Sequence, residues 1–398
     1  MEHVEITYAG QAFRLGRYPI HFHRNGDMKG SYVRGCSIHW GFNRAINIHD
    51  THYVLIENNV VYDIMGGALF LEDSIEHDTV FQYNLVMFVK ASSSLLNDDI
   101  TPAGFWITHP ANIVRHNHVA GGTHFGFWYR MHEHPIGPSY DPDICPRKVP
   151  LGEFYNNTVH SVGWYGLWVF EFYDPMEISD TPLCKRNIPT PAQFRNLTAW
   201  NSLRGAEWVE CGAIQLHGFV VANNFKAGME NYFIHHETEK YSEKGAMIKD
   251  AVVIGQLNYQ GHPSCTRRGL AMPFSNGLLI DNVEFFNFPT GAYNENDPCS
   301  GLGTVKILCI CSHLCAGYSY KFKNVYWDST ATVKANFEWE NQAEFEDLDG
   351  TLTGAGPGAR AFAKAEIFPS TCKVCRTRTL IHIHTRTHIH AHAKTTCI

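Results

Sequence analysis

Histidines and carboxylates recur at fixed offsets in the first hundred residues. GRYPIHFHRNGD, AINIHD and ALFLED align so that His23, His49 and Glu72 share one column and Arg24, Asp50 and Asp73 the next, with His21 beside Asn47 and Phe70. Counting on at the same offsets extends the first column to Asn97 and Arg130, and the second to Asp98 and, two repeats later, Glu171. Carboxylates stacked at the strand spacing of about 4.8 Å repel one another, so the stack needs a cation, a shared proton or full solvation. With a cation, His21, His23, His49 and Glu72 supply nitrogen and oxygen ligands of the kind Zn²⁺ takes, while an oxygen-only Asp column would suit Ca²⁺. With a shared proton, catalysis would fall to His23, His49, Glu72, Asp73 and Asp98. One acid of raised pKa would then protonate a glycosidic oxygen while another stays ionised. With solvation, the columns are the polar outer face of a scaffold.

The elements that must carry these columns are short β-type runs with an apolar-flanked Asn: VLIENNVVY, VFQYNLVMF, NIVRHNHVA, EFYNNTVHS, QFRNLTAW and LLIDNVEFF. Asn59, Asn84, Asn117, Asn157, Asn196 and Asn282 set the register. Nine residues after the first five come Ala68, Ser93, Gly126, Gly166 and Gly205, and eleven after come Phe70, Leu95, Trp128, Trp168 and Glu207. Cys36 opens the series, with Ala45 and Asn47 at the same offsets. The unequal spacing suits β-coils with loops of different length and predicts an all-β chain folded as a right-handed parallel β-helix, a solenoid. Asn59, Asn84, Asn117, Asn157 and Asn196 would form a buried ladder passing amide hydrogen bonds from coil to coil. Pro-rich insertions near 131–150 and 173–191 would lengthen consecutive coils side by side. Cys145 and Cys184 are 39 residues apart, as are Asn157 and Asn196, which places the two thiols one coil apart and within disulfide reach. Asn156 and Asn196 each fit the N-glycosylation sequon, and as a ladder residue Asn196 would be the less accessible acceptor. The aromatics of GGTHFGFWYRM and GWYGLWVFEF could stack on sugars or fill the interior, their shared register favouring an interior stack.

The composition, 44% hydrophobic and 18% charged over 398 residues, demands a large core and excludes disorder for most of the chain. A net charge of −7 without a basic stretch in the first 370 residues argues against nucleic acid as a partner. Twelve cysteines suggest an oxidising compartment. The opening MEHVEITYAGQAF lacks a signal-peptide layout and no run of about 18 apolar residues exists, so a piece of a longer secreted or membrane protein is expected. The pairing of Cys299, Cys309, Cys311 and Cys315 cannot be read from spacing. The coil region is expected over 1–354, and 355–398 as a His/Thr-rich tail outside it, disordered or an artefact of translating a microsatellite. In that tail Cys372, Cys375, His388 and His392 have zinc-finger spacing, but Thr379 and Thr385 stand where a finger needs its apolar core.

The stretches GRYPIHFH, SYVRGCSIH, FNRAINIH, FLEDSIEH, SSSLLNDDITPAGFW, GPSYDPDICP and VPLGEFYNNTVHSVGWYGLW resemble the fibrocystin family, and more distantly the hyaluronan-degrading group that includes cell-migration-inducing hyaluronidase. The resemblance spans roughly 2–354. It implies part of the ectodomain of a very large, glycosylated, single-pass surface protein that meets extracellular proteins or glycans, with the membrane reached only through segments not present here. It leaves a non-enzymatic binding or surface-coat module as the first expectation and a glycosaminoglycan depolymerase as the alternative. For that alternative it carries over only at His21, His23, His49, Glu72 and Asp73.

Overall fold

The computed structural model describes residues 1–93, 97–235, 240–256, 266–288, 303–307, 318–331, 335–337, 343–363 and 366–367. Cys299, Cys309, Cys311, Cys315 and the tail 372–398 lie outside them. The described chain is almost wholly β, its one α-helix being the short Asn97–Ile100. Successive coils stack as parallel strands into the predicted parallel β-helix. One face is a 12-stranded sheet beginning Ile20–Asp27, Ile46–His52, Leu69–Leu71, Ala103–Ile107, Phe125–Tyr129 and Tyr165–Tyr173. The other two faces run separately, for example through Leu55–Glu57 and Val60–Met65, until Met247–Ile254 pairs with strands of both.

Alternation along each strand sends every second side chain inward, and the parallel register stacks like on like. Val33, Ile56, Phe81, Val114, Phe154, Phe194, Leu216, Ile248, Ile280 and Phe322 form one such interior ladder. Ile38, Val61, Val86, Val119, Val159, Ala199, Val221, Val253 and Phe285 form a second. On the 12-stranded face a glycine stripe lies against the second ladder and lets backbones approach closely. A Cβ on Gly126 would lie 2.4 Å from Val159 Cγ2 and 2.6 Å from the Gly166 carbonyl oxygen.

The Asn ladder exists from Asn59 to Asn157. Asn59, Asn84 and Asn117 each donate backbone N–H and side-chain amide to the Oδ1 of the next Asn, at 3.0–3.1 Å. Asn196 does not belong to it. Thr158 pairs with Thr198, so Leu197, fully buried, occupies the slot below Asn157. Asn196 is exposed and sits with Asn58, Tyr83, His116, Asn156 and Asn282 in a column of left-handed corners, φ 51–56°. Asn suits both places, because its short amide tolerates left-handed backbone and also satisfies buried peptide groups. The two sequons therefore stand side by side on adjacent coils, both exposed, and the expectation of an inaccessible Asn196 is corrected.

The insertions near 131–150 and 173–191 pack together through Asp174 N–H to Arg147 O at 2.9 Å, Met176 N–H to Lys148 O at 3.0 Å and a Cys145–Cys184 disulfide with Cα atoms 5.3 Å apart. Cys36 and Cys211 are buried free thiols. Past residue 354, Ala359–Ala363 adds antiparallel to Ala343–Asp347 and covers that edge of the stack.

Candidate functional site: a histidine and carboxylate cluster on the first coils

In Ile20–Asp27, Phe22 turns toward the core while His21 and His23 face out. The register sets His21 against Asn47 and His23 against His49. Asn47 in turn lies beside Phe70, which brings Glu72 alongside His49. The alignment read from the sequence thus gathers His21, His23, His49, Glu72 and Asp73 on three neighbouring coils.

The contacts are specific. His23 Nδ1 and His49 Nδ1 are 3.0 Å apart. His49 Nε2 lies 2.7 Å from Asp73 Oδ2, and the Ser139 hydroxyl donates to that same oxygen at 2.7 Å. The hydrogen bond to Asp73 raises the imidazole pKa of His49 against the opposing effect of burial. His21 goes the other way, lowered by burial; its Nδ1 is 3.2 Å from the Gly16 carbonyl oxygen and its Nε2 is buried without a partner. Glu72 Oε2 accepts from Asn47 Nδ2 at 2.6 Å and lies 4.0 Å from His49 Nδ1.

Behind this cluster runs a buried relay that the sequence did not reveal. Asp99 Oδ1 accepts from Arg44 Nε at 2.8 Å, and Arg44 donates to Asn47 Oδ1 at 3.1 Å, which turns the Asn47 amide nitrogen toward Glu72. Arg44 and Asp99 are both buried, and such a pair is costly to break because each charge would be left uncompensated. Glu76, also fully buried, accepts from the N–H groups of Asp50 and Asp73 at 3.0 Å, and burial pushes it up to about 7. No spacing marks Asp99 or Ser139, which meet the site from segments 55 and 66 residues from their partners, while Arg44 and Glu76 lie three residues from Asn47 and Asp73 but outside the aligned columns.

The predicted columns break in the fourth coil, that of Ala103–Ile107. Trp106, not Leu95, lies between Phe70 and Trp128, so Thr108 and His109 take the slots assigned to Asn97 and Asp98, and Gly104 takes that of Ser93. The extra residues of this coil precede the outer-face strand and include the helix Asn97–Ile100, so Asp98 lies off the carboxylate column. His109 is deeply buried, which lowers its pKa to about 3. Glu171 is exposed and lies within a register shift between Val169 and Phe172. The remaining stack is relieved pairwise. Arg24 Nε reaches Asp50 Oδ2 at 3.3 Å, while Asp73 is held by His49 and Ser139.

Further along the column of His21, Asn47 and Phe70, Trp168 Nε1 donates to Glu207 Oε1 at 2.8 Å, and Arg204 Nε bridges Glu207 Oε2 at 3.0 Å and Glu230 Oε2 at 2.5 Å. Burial, then the neighbouring Glu230, push Glu207 up to about 7. The aromatics Phe70, Trp106, Phe125 and Trp128 pack with Tyr165, Trp168 and Phe170 into a cluster separate from the solenoid core; it is mostly closed to solvent, but Phe70, Trp106, Trp128 and Trp168 continue the outward column of Asn47, so the expectation of an interior stack is corrected.

The parallel β-helix has a counterpart among known families: a family model described as the CEMIP beta-helix matches residues 1–167. Over most of its length the chain resembles fibrocystin-L. It is 52% identical to the Homo sapiens protein over 359 residues, which are 89% of this chain and 8% of that one. Cell surface hyaluronidase CEMIP2 of Homo sapiens is 35% identical over 42% of this chain and 14% of its own length. The cell migration-inducing and hyaluronan-binding protein of Mus musculus is 27% identical over 74% of this chain and 26% of its own. The chain thus spans less than a tenth of the fibrocystin-L it matches.

Proposed function

We propose that this chain is an extracellular β-helix module of a large fibrocystin-L-like surface glycoprotein, and that it binds glycans or proteins rather than cleaving them. One observation carries the preference for binding. The insertion near 131–150 closes over Asp73: Ser139 donates to its carboxylate, Ile136 N–H donates to its carbonyl at 2.9 Å, and Asp73 is only 4% exposed. A glycosidase needs two carboxyl groups flanking the scissile bond, with room for the sugar between them. Here the acid beside Glu72 is buried under the insertion and its Oδ2 is taken by both His49 and Ser139, so it is not placed to flank a scissile bond together with Glu72. An open surface is available elsewhere. Tyr8, Trp40, Tyr62 and Phe88 are exposed on the first coils, and flat rings of this kind can stack on sugar faces.

The test is to secrete the chain and incubate it with hyaluronan and other glycosaminoglycans, following polymer size and retention on immobilised glycan. Retention that weakens in Trp40→Ala and Tyr62→Ala, with polymer length unchanged, is expected. Depolymerisation that disappears in Glu72→Gln would overturn the reading in favour of the hydrolase.

A further inference from the structure

The geometry points to a divalent transition-metal site of the zinc type, formed by His21, His23 and His49 with Glu72 as the fourth ligand. This inference does not depend on the binding reading above.

One ligand atom from each of the three imidazoles lies within 4.8 Å of the other two. Imidazole and carboxylate ligands suit Zn²⁺ and its neighbours, whereas Ca²⁺ takes oxygen. In His21 and His49 the nitrogen turned away from the cluster is anchored as in metal-bound histidines, by a carbonyl or a carboxylate on the far side of the ring. His21 Nδ1 faces the Gly16 carbonyl at 3.2 Å, which leaves the lone pair on Nε2, and that atom is buried with no partner. His49 Nε2 faces Asp73 at 2.7 Å, which leaves the lone pair on Nδ1. His23 brings its own Nδ1 to within 3.0 Å of that atom. Two ring nitrogens in contact need either one proton or one cation between them, and nitrogens on a common tetrahedral ion at about 2.0–2.1 Å each would stand a little over 3 Å apart. Glu72 Oε2, 4.0 Å from His49 Nδ1 and steered by Asn47, is placed to supply the oxygen ligand after a small movement.

The protein's part divides accordingly. His21, His23, His49 and Glu72 are the ligands. Asp73, with Ser139, is a positioning residue that fixes the His49 tautomer, and the Arg44–Asn47 relay positions Glu72. His23 is exposed, so the ion would face solvent on one side and could accept an oxygen of a bound carboxylate or hydroxyl ligand there.

The test uses the full chain, titrated with Co²⁺ as a spectroscopic probe and with Zn²⁺ by calorimetry. The Cys372/Cys375 tail can also take metal, so the signal sought is the difference between wild type and His23→Ala, whose exposed position leaves the fold intact. The expected result is the loss of one equivalent of metal in His23→Ala and His21→Ala, with the lost cobalt spectrum showing visible bands of nitrogen and oxygen coordination and no thiolate charge transfer. Cys372→Ser should leave that equivalent in place, and Asp73→Asn should weaken it 10–100-fold, the range typical of second-shell changes. Equal metal uptake by wild type and His23→Ala, or a spectrum that vanishes only in Cys372→Ser, would overturn the proposal.

Discussion

Replacing Asn84 by Ala tests whether the ladder is held by amides or by packing. The side chain accepts from Asn59 N–H and Asn59 Nδ2 at 3.1 and 3.0 Å, and donates to the Ile56 carbonyl and Asn117 Oδ1 at 2.9 and 3.0 Å. Ala removes all four bonds. Asn59 Nδ2 keeps its bond to Val33 O, and Asn117 Oδ1 keeps the backbone N–H of residue 84, so the groups stripped of these bonds are chiefly Asn59 N–H and Ile56 C=O. At about 1–3 kcal/mol per buried group left unsatisfied, with the cavity adding to it, the loss should be about 3–5 kcal/mol. Asn58→Asp, one residue away on the exposed left-handed corner, should cost no more than about 0.5 kcal/mol. The assay is guanidinium unfolding followed by tryptophan fluorescence, with the slope checked for constancy because coils of a solenoid can unfold separately. Asn84→Leu separates the causes, since it refills the volume and leaves the same groups unpaired. If Leu restored wild-type stability, or if Ala cost no more than Asn58→Asp, the amide argument would be wrong.

Glu207 has a folded pKa raised from 4.5 to about 7, so its protonated form favours the native state: that contribution is complete below about pH 4.5 and is lost as pH rises through about 7. Thermal unfolding at pH 5 and pH 7.5 should show this loss, and Glu207→Gln, which keeps an acceptor for Trp168, should remove that component of the pH dependence. The Cys145–Cys184 bridge closes a 39-residue separation, for which chain entropy predicts about 4 kcal/mol. Serine at both positions should lower the denaturant midpoint toward that limit, and an unchanged midpoint would mean that the packed loops hold without it. Gly126→Ala would set a methyl 2.6 Å from the Gly166 carbonyl oxygen, so secretion yield should collapse, whereas unaltered yield and melting would show that the coils can spread. Asn156 and Asn196 are both exposed, so intact mass of secreted protein should fall by one glycan in each of Asn156→Gln and Asn196→Gln. An unchanged mass in both would remove the sequons from the account.

Much of the cluster was legible because it lies on regular strands. In a parallel coil, residues at equal offsets from a register mark become neighbours, so aligning IHFH with INIH was enough to bring His23 to His49. The same rule failed where the coil departed from regularity. Counting from Asn84 put Asp98 on the carboxylate column, but the extra residues of that coil fall before the strand, and spacing between landmarks does not say which side of a strand holds an insertion. Asn196 misled for a different reason: Asn-Asn at 58–59 and 156–157 offers one residue for the corner and one for the ladder, whereas in NLT the single Asn takes the corner.

The periodic apolar and Asn pattern of this sequence by itself determined the fold class, the direction of stacking and which side chains meet across neighbouring coils, because these are consequences of local register. Only the tertiary structure decided what each of those side chains is free to do. The insertion that seals Asp73 and the Arg44–Asp99 pair that turns Asn47 toward Glu72 depend on segments tens of residues apart closing over one spot, and no local pattern in the chain encodes where those segments land.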